Sequence, residues 1–235
     1  MLDRFFLDCN RGFSPLKVKK LTQEYGTNIL IGVDPGLTDE PDEDALLSIK
    51  AIKSSGTKLH VYLVGPGMMS WSADERKQIE FFAKSVGLNT KQKDWHKKWT
   101  TIGWKKKNLQ QFKYYHEQFG AYSCEIDNID SSYIENDPEL TVKFFDELKK
   151  DLTDNNIPTK LMMKNLSEEQ LEAVIEAKFQ LDFLCEFAMF EKGTGNPKKQ
   201  IELCKKLDVQ AITPINGITR TEEYGVKSDG VEYSA

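Results

Sequence analysis

The chain is poor in the residues that build small cross-linked or metal-held folds. Only four of its 235 residues are cysteines, Cys9, Cys124, Cys185 and Cys204. None sits in a Cys-x-x-Cys pair or a Cys/His cluster, so free, buried thiols are expected and no zinc site is suggested. No apolar run approaches the roughly 18 residues that would span a bilayer, so no membrane span is expected. Basic charge is not in excess: 32 Lys and Arg face 37 Asp and Glu, for a net charge of −5. A nucleic-acid partner is therefore not expected. The opening Met1-Leu2-Asp3-Arg4-Phe5-Phe6-Leu7-Asp8 is too short and too charged for a secretory signal. The expectation is a chain that stays in the cytosol, leaves by lysis or another route, or was trimmed. There is no internal repeat and no low-complexity tract.

What the chain does have is alternation. Short runs rich in β-branched and aromatic residues recur between charged stretches of helical period. The runs are 4–8 (RFFLD), 28–34 (NILIGVD), 58–65 (KLHVYLVG), 100–104 (TTIGW, the weakest), 121–127 (AYSCEID), 159–164 (TKLMMK), 181–187 (LDFLCEF) and 209–216 (VQAITPIN). Such runs suit strands buried on both faces of a parallel sheet. The helices between them announce their starts. Ser14-Pro15, Asp137-Pro138 and Asn196-Pro197 each offer an N-cap acceptor followed by proline at N1. Ser72 to Glu75 and Ser167 to Gln170 read as capping boxes. Gly26, Gly56, Gly87 and Gly120 stand where helices should stop. The fold class expected is α/β, a (β/α)8 TIM barrel spanning 1–235 as one domain, with a doubly wound open parallel sheet as the alternative. Residues 88–107 look irregular, and a long loop in a compact domain favours function.

Ligands in parallel α/β folds bind beyond the carboxyl ends of the strands. Those ends are polar here: Asp8, Asp34, Trp104, Glu125 with Asp127, Lys164 with Asn165, Glu186 and Asn216. Carboxylates on several strands of one rim repel one another unless something uses them. Alternation puts Ser123, Glu125 and Asp127 on one face of their strand, and Asp182, Leu184 and Glu186 on one face of theirs. Asp127 and Glu186 can then face a common mouth, and paired carboxylates are the equipment of glycoside hydrolysis.

Three segments resemble one family. Glu125-Ile126-Asp127-Asn128-Ile129-Asp130-Ser131-Ser132-Tyr133, Leu161-Met162-Met163-Lys164-Asn165 and Asp182-Phe183-Leu184-Cys185-Glu186-Phe187 are similar, in order, to strand ends of the glycoside hydrolase 114 family, the endo-α-1,4-polygalactosaminidase-like barrels. The resemblance covers roughly residues 58–216. It implies Asp127 as nucleophile or electrostatic partner and Glu186 as general acid/base, with no cofactor. Glu125, Asp130, Lys164 and Asn165 would hold the sugar or tune the carboxylates, and Tyr62 resembles the family's strand tyrosine. Ile126 departs from the usual proline, Ser131-Ser132 from the usual glycine region, and the tryptophan-rich N-terminal segment is absent. The expected substrate is a polysaccharide or oligosaccharide containing amino sugars, cut internally.

Two other features compete. The lysine-rich stretch Lys91 to Lys107 carries Trp95, Trp99 and Trp104. It is either a solvated loop over packed tryptophans or a surface stacking on an anionic glycan, which would suit a non-catalytic glycan-binding barrel. Ile29 to Gly36 with Asp42-Glu43-Asp44-Ala45 is similar to the opening of the nucleoside hydrolases, split by Leu37 to Pro41. That resemblance implies Ca²⁺ held by aspartates, here Asp34, Asp39, Asp42 and Asp44, and a calcium-dependent N-glycosidase. The plainer reading is an acidic segment leading into a helix N-terminus. His60 and His116 read as structural.

Overall fold

The computed structural model describes residues 4–8, 12–35, 40–64, 73–99, 103–127, 138–157, 161–164, 168–176, 185–186, 211–212, 214–215 and 231–234. Strands β1 (Arg4–Asp8), β2 (Ile29–Val33), β3 (Lys58–Val64), β4 (Ser123–Asp127), β5 (Leu161–Lys164), β6 (Cys185–Glu186), β7 (Ala211–Ile212), β8 (Pro214–Ile215) and β9 (Val231–Ser234) form one sheet. Helices α1 (Pro15–Tyr25), α2 (Glu43–Ser55), α3 (Ala73–Ser85), α4 (Trp95–Lys98), α5 (Trp104–Phe119), α6 (Pro138–Asp154) and α7 (Glu168–Glu176) lie between strands. Every described strand pairing is parallel. The α/β class read from the alternation is the class observed.

The strand order is β7-β6-β5-β4-β3-β2-β1-β9-β8. Its two outermost members are neighbours in the chain. Ala211–Ile212 pairs with β6 at one end, and Pro214–Ile215 pairs with β9 at the other.

The helix signals act as their chemistry dictates. Ser14 Oγ accepts from the Lys17 amide at 3.3 Å, with proline at the first helical position. Asp42 accepts from the Ala45 amide at 2.9 Å, and Glu43 and Asp44 follow in the first turn, where the helix dipole favours acids. Gly56 and Gly120 end α2 and α5 in the left-handed region, at φ of 76° and 72°, which costs glycine little.

The core lies between sheet and helices. Phe6, Ile29, Ile31, Val33, Leu59, Val61, Leu63, Cys124 and Ile126 project from alternate strand positions into one cluster with Val18, Leu21, Ile49, Ile52, Ile79, Phe82, Phe112, Phe145 and Leu148 from the helices. Each fully buried aliphatic side chain there contributes roughly 1.5–3 kcal/mol relative to exposure.

One strand expectation is corrected and one strand is new. Of the expected strand 100–104, residues 100–102 lie outside the described residues and Trp104 opens α5, while Trp95 starts the short α4. Trp95 and Trp99 stand four apart, and Trp95, Trp99 and Trp104 all join the core at 8%, 3% and 2% exposure. Large aromatics there satisfied a strand-like composition while serving helix packing. The strand unread in the sequence is β9, a four-residue segment, Val231–Ser234, too short to stand out from its polar neighbours.

Candidate functional site

The register fixes which residues stand level with one another. Tyr62 pairs with Glu125 and Val64 with Asp127. Ile126 pairs with Met163, so one step further on Asp127 is level with Lys164. Lys164 pairs with Glu186. Asp127, Lys164 and Glu186 thus end three adjacent parallel strands at one height, with Lys164 on the middle strand. On the other side, Val33 pairs with Val61, which brings Asp34 level with Tyr62. Asp8 pairs with Val33, the strand parity of the helix-facing core. At Asp8, Asp127, Lys164 and Glu186 the description is of the backbone. Asp130, Asn165 and Asn216, also singled out in the sequence, lie outside the described residues.

One level below Asp127 the sheet face turned away from the helices is polar. His60 and Ser123 are register partners, and His60 Nδ1 lies 2.8 Å from Ser123 Oγ. His60 Nε2 stands 3.8 Å from Glu125 Oε2. All three side chains are fully buried, and Tyr62, beside Glu125 across the strands, is 8% exposed. A carboxylate wholly removed from water is costly unless paired. Glu125 therefore stands in a buried layer with His60, beneath the rim rather than on it. Sequence reasoning set His60 aside as structural. The signal available was its position: a titratable side chain between apolar residues, on the same alternation as Tyr62.

The tryptophan-loop reading does not hold. Trp104 lies 4.4 Å from the Phe144 ring, between α5 and α6. The faces that would stack on a sugar are occupied by protein, so Trp104 is corrected from a rim residue to a core residue. The lysines of this stretch take other roles. Lys98 pairs with Asp94 at 3.2 Å, and Lys105 pairs with Glu147. Lys107 is buried, its Nζ 4.3 Å from the centre of the Phe82 ring. Burial pulls its ammonium down to about 8, because the charged form loses its water.

The acidic segment after β2 behaves as a helix start. Asp42 is engaged by the Ala45 amide, and Asp44 is exposed in the first turn of α2. Asp39 lies outside the described residues. Among those described, no three His, Cys, Asp or Glu side chains gather as a metal site would need. The acids are felt nearby: Tyr115, fully buried, has its hydroxyl pushed up by burial first, then by Tyr114, Asp34, Asp42 and Glu40. Cys124 is a free, buried thiol, held up by burial and secondarily by Glu125. No helix among the described residues is long and apolar enough to cross a membrane.

No protein-family model matches this chain, and no curated protein does. Solved structures do match, at the level of fold. A family 18 chitinase from Crocus vernus superposes with a TM-score of 0.53 at 13% identity, covering 98% of this chain and 92% of that one. A lyase/mutase candidate from Burkholderia cenocepacia gives 0.52 at 10% identity, covering 98% and 75%. An intracellular xylanase from Thermoanaerobacterium saccharolyticum, at 0.41 and 13% identity, is too distant to weigh. At these identities the likeness is one of fold: this chain shares an α/β architecture with the chitinase and with the lyase/mutase candidate. The same architecture also carries other chemistry, so the fold alone does not select a reaction.

Proposed function

We propose that the chain is a glycoside hydrolase acting inside an amino-sugar polysaccharide, with Asp127 and Glu186 as its carboxylate pair. The observation that carries this is the level placement of Asp127, Lys164 and Glu186 at the carboxyl ends of β4, β5 and β6. Neighbouring strands lie about 4.8 Å apart, so acids two strands apart flank a space that a sugar ring can enter. The sheet order supports closure into an eight-stranded barrel: 211–215 holds both ends of the order within five residues. A closed barrel gathers its strand ends around one mouth.

In this reading Asp127 attacks or stabilises the anomeric centre, and Glu186 protonates the leaving oxygen. Lys164 between them favours ionisation of one acid, which splits the pair into a charged and a proton-bearing member as the reaction needs. Carboxyl groups about 5–5.5 Å apart would give retention of configuration, and about 6.5–9.5 Å inversion. The similarity of Glu125 to Tyr133, Leu161 to Asn165 and Asp182 to Phe187 to the glycoside hydrolase 114 family supports galactosamine polymers as the first substrates to try.

The test is reducing-sugar release from galactosamine and glucosamine polymers. Asp127→Asn and Glu186→Gln should each remove activity by two or more orders of magnitude with the circular dichroism spectrum unchanged. Full activity in both variants would refute the assignment.

A further inference from the structure

The layer beneath the proposed acids contains a second ionisable arrangement. Glu125 and His60 are both without solvent exposure, 3.8 Å apart, and His60 is held from its other nitrogen by Ser123. We propose that His60 is a positioning residue, kept as a buried imidazolium that balances Glu125 and fixes the charge under the Asp127–Glu186 pair. Its function there rests on the glycosidase reading, but its charge state does not.

The argument is one of charge and geometry. The groups on the same face, by register, are Lys58 and Tyr62 on β3, Asp127 on β4, Lys164 on β5, Glu186 on β6, Tyr233 on β9 and Asp34 just beyond β2; Lys58, at the opposite end of its strand, is engaged by Asn28 and the Tyr122 ring. Cys124 is beside Glu125 in the chain, on the opposite face. Acids outnumber bases in this set. A third bare carboxylate one level below Asp127 would oppose ionisation there, where the proposed chemistry needs a charged group. Lys164 supplies one positive charge on the upper level. His60 supplies the second, on the lower one. As an imidazolium it donates from Nδ1 to the Ser123 hydroxyl oxygen and turns Nε2–H toward Glu125.

The test is nitrogen-15 spectroscopy of the three histidines, His60, His96 and His116, in the intact chain. Exposed His96 serves as the internal reference that titrates. His60 is expected to show both ring nitrogens protonated from about pH 5 to 8, where an ordinary histidine loses its proton. In Glu125→Gln it should become neutral by pH 8. A wild-type His60 with a bare ring nitrogen at pH 8 would overturn the proposal. So would a Glu125→Gln spectrum identical to wild type. Should Glu125→Gln not fold, the wild-type titration decides alone. Full activity in Asp127→Asn and Glu186→Gln alongside a doubly protonated His60 would remove the glycosidase reading and leave the buried pair standing.

Discussion

The two faces of the same strands obey different rules. Toward the helices, β2, β3 and β4 present Ile29, Ile31, Val33, Leu59, Val61, Leu63, Cys124 and Ile126, without a charged group among them. On the other face the same strands present Leu30, His60, Tyr62, Ser123 and Glu125, equally buried. Burial alone therefore does not distinguish core from site. Polarity along the strands does: the helix-facing strand positions are apolar, and the opposite face carries buried polar side chains set against one another. Those groups lie one level under the strand ends, where the fold concentrates chemistry.

That contrast can be broken by mutation. Ile31→Ala opens a cavity on the helix side and should cost about 2–5 kcal/mol in denaturant unfolding. A loss below 1 kcal/mol would mean that the cluster around α1 and α2 is loosely packed. Lys107, on the helix side, is a buried cation against Phe82. Its folded value of about 8 lies below the ordinary lysine value. Between roughly pH 8 and 10.5 the unfolded chain binds the extra proton, so stability should rise with pH there. The slope is at most about 1.4 kcal/mol per pH unit. Lys107→Met should flatten that rise, and an unchanged pH profile would count against its burial as the cause. The smallest effect belongs to a residue of neither face. Asp42→Ala removes the α2 cap and should cost about 1 kcal/mol. A much larger loss, or one that added calcium modulates, would favour the acidic segment as a ligand site.

Much of this was legible in the chain. Alternating runs gave the parallel α/β class, and Ser14, Asp42, Gly56 and Gly120 marked helix ends with local chemistry that needs no tertiary context. The parity of Ser123, Glu125 and Asp127 followed from strand geometry alone. The tryptophans misled because composition does not report which side of a helix is covered. Trp104 carries the same aromatic surface whether it meets a sugar or Phe144.

By itself, the order of residues determined the elements and their two-sided strands, since propensity, capping and alternation act within a few neighbours. Tertiary structure decided which strands adjoin. Register joins Glu125 to Tyr62, and sets Lys164 level with Glu186, across 63 residues or 22. It also decided that Glu125 meets His60 rather than water. Contacts of that kind depend on chain closure over long loops, whose cost and geometry no short window of sequence contains.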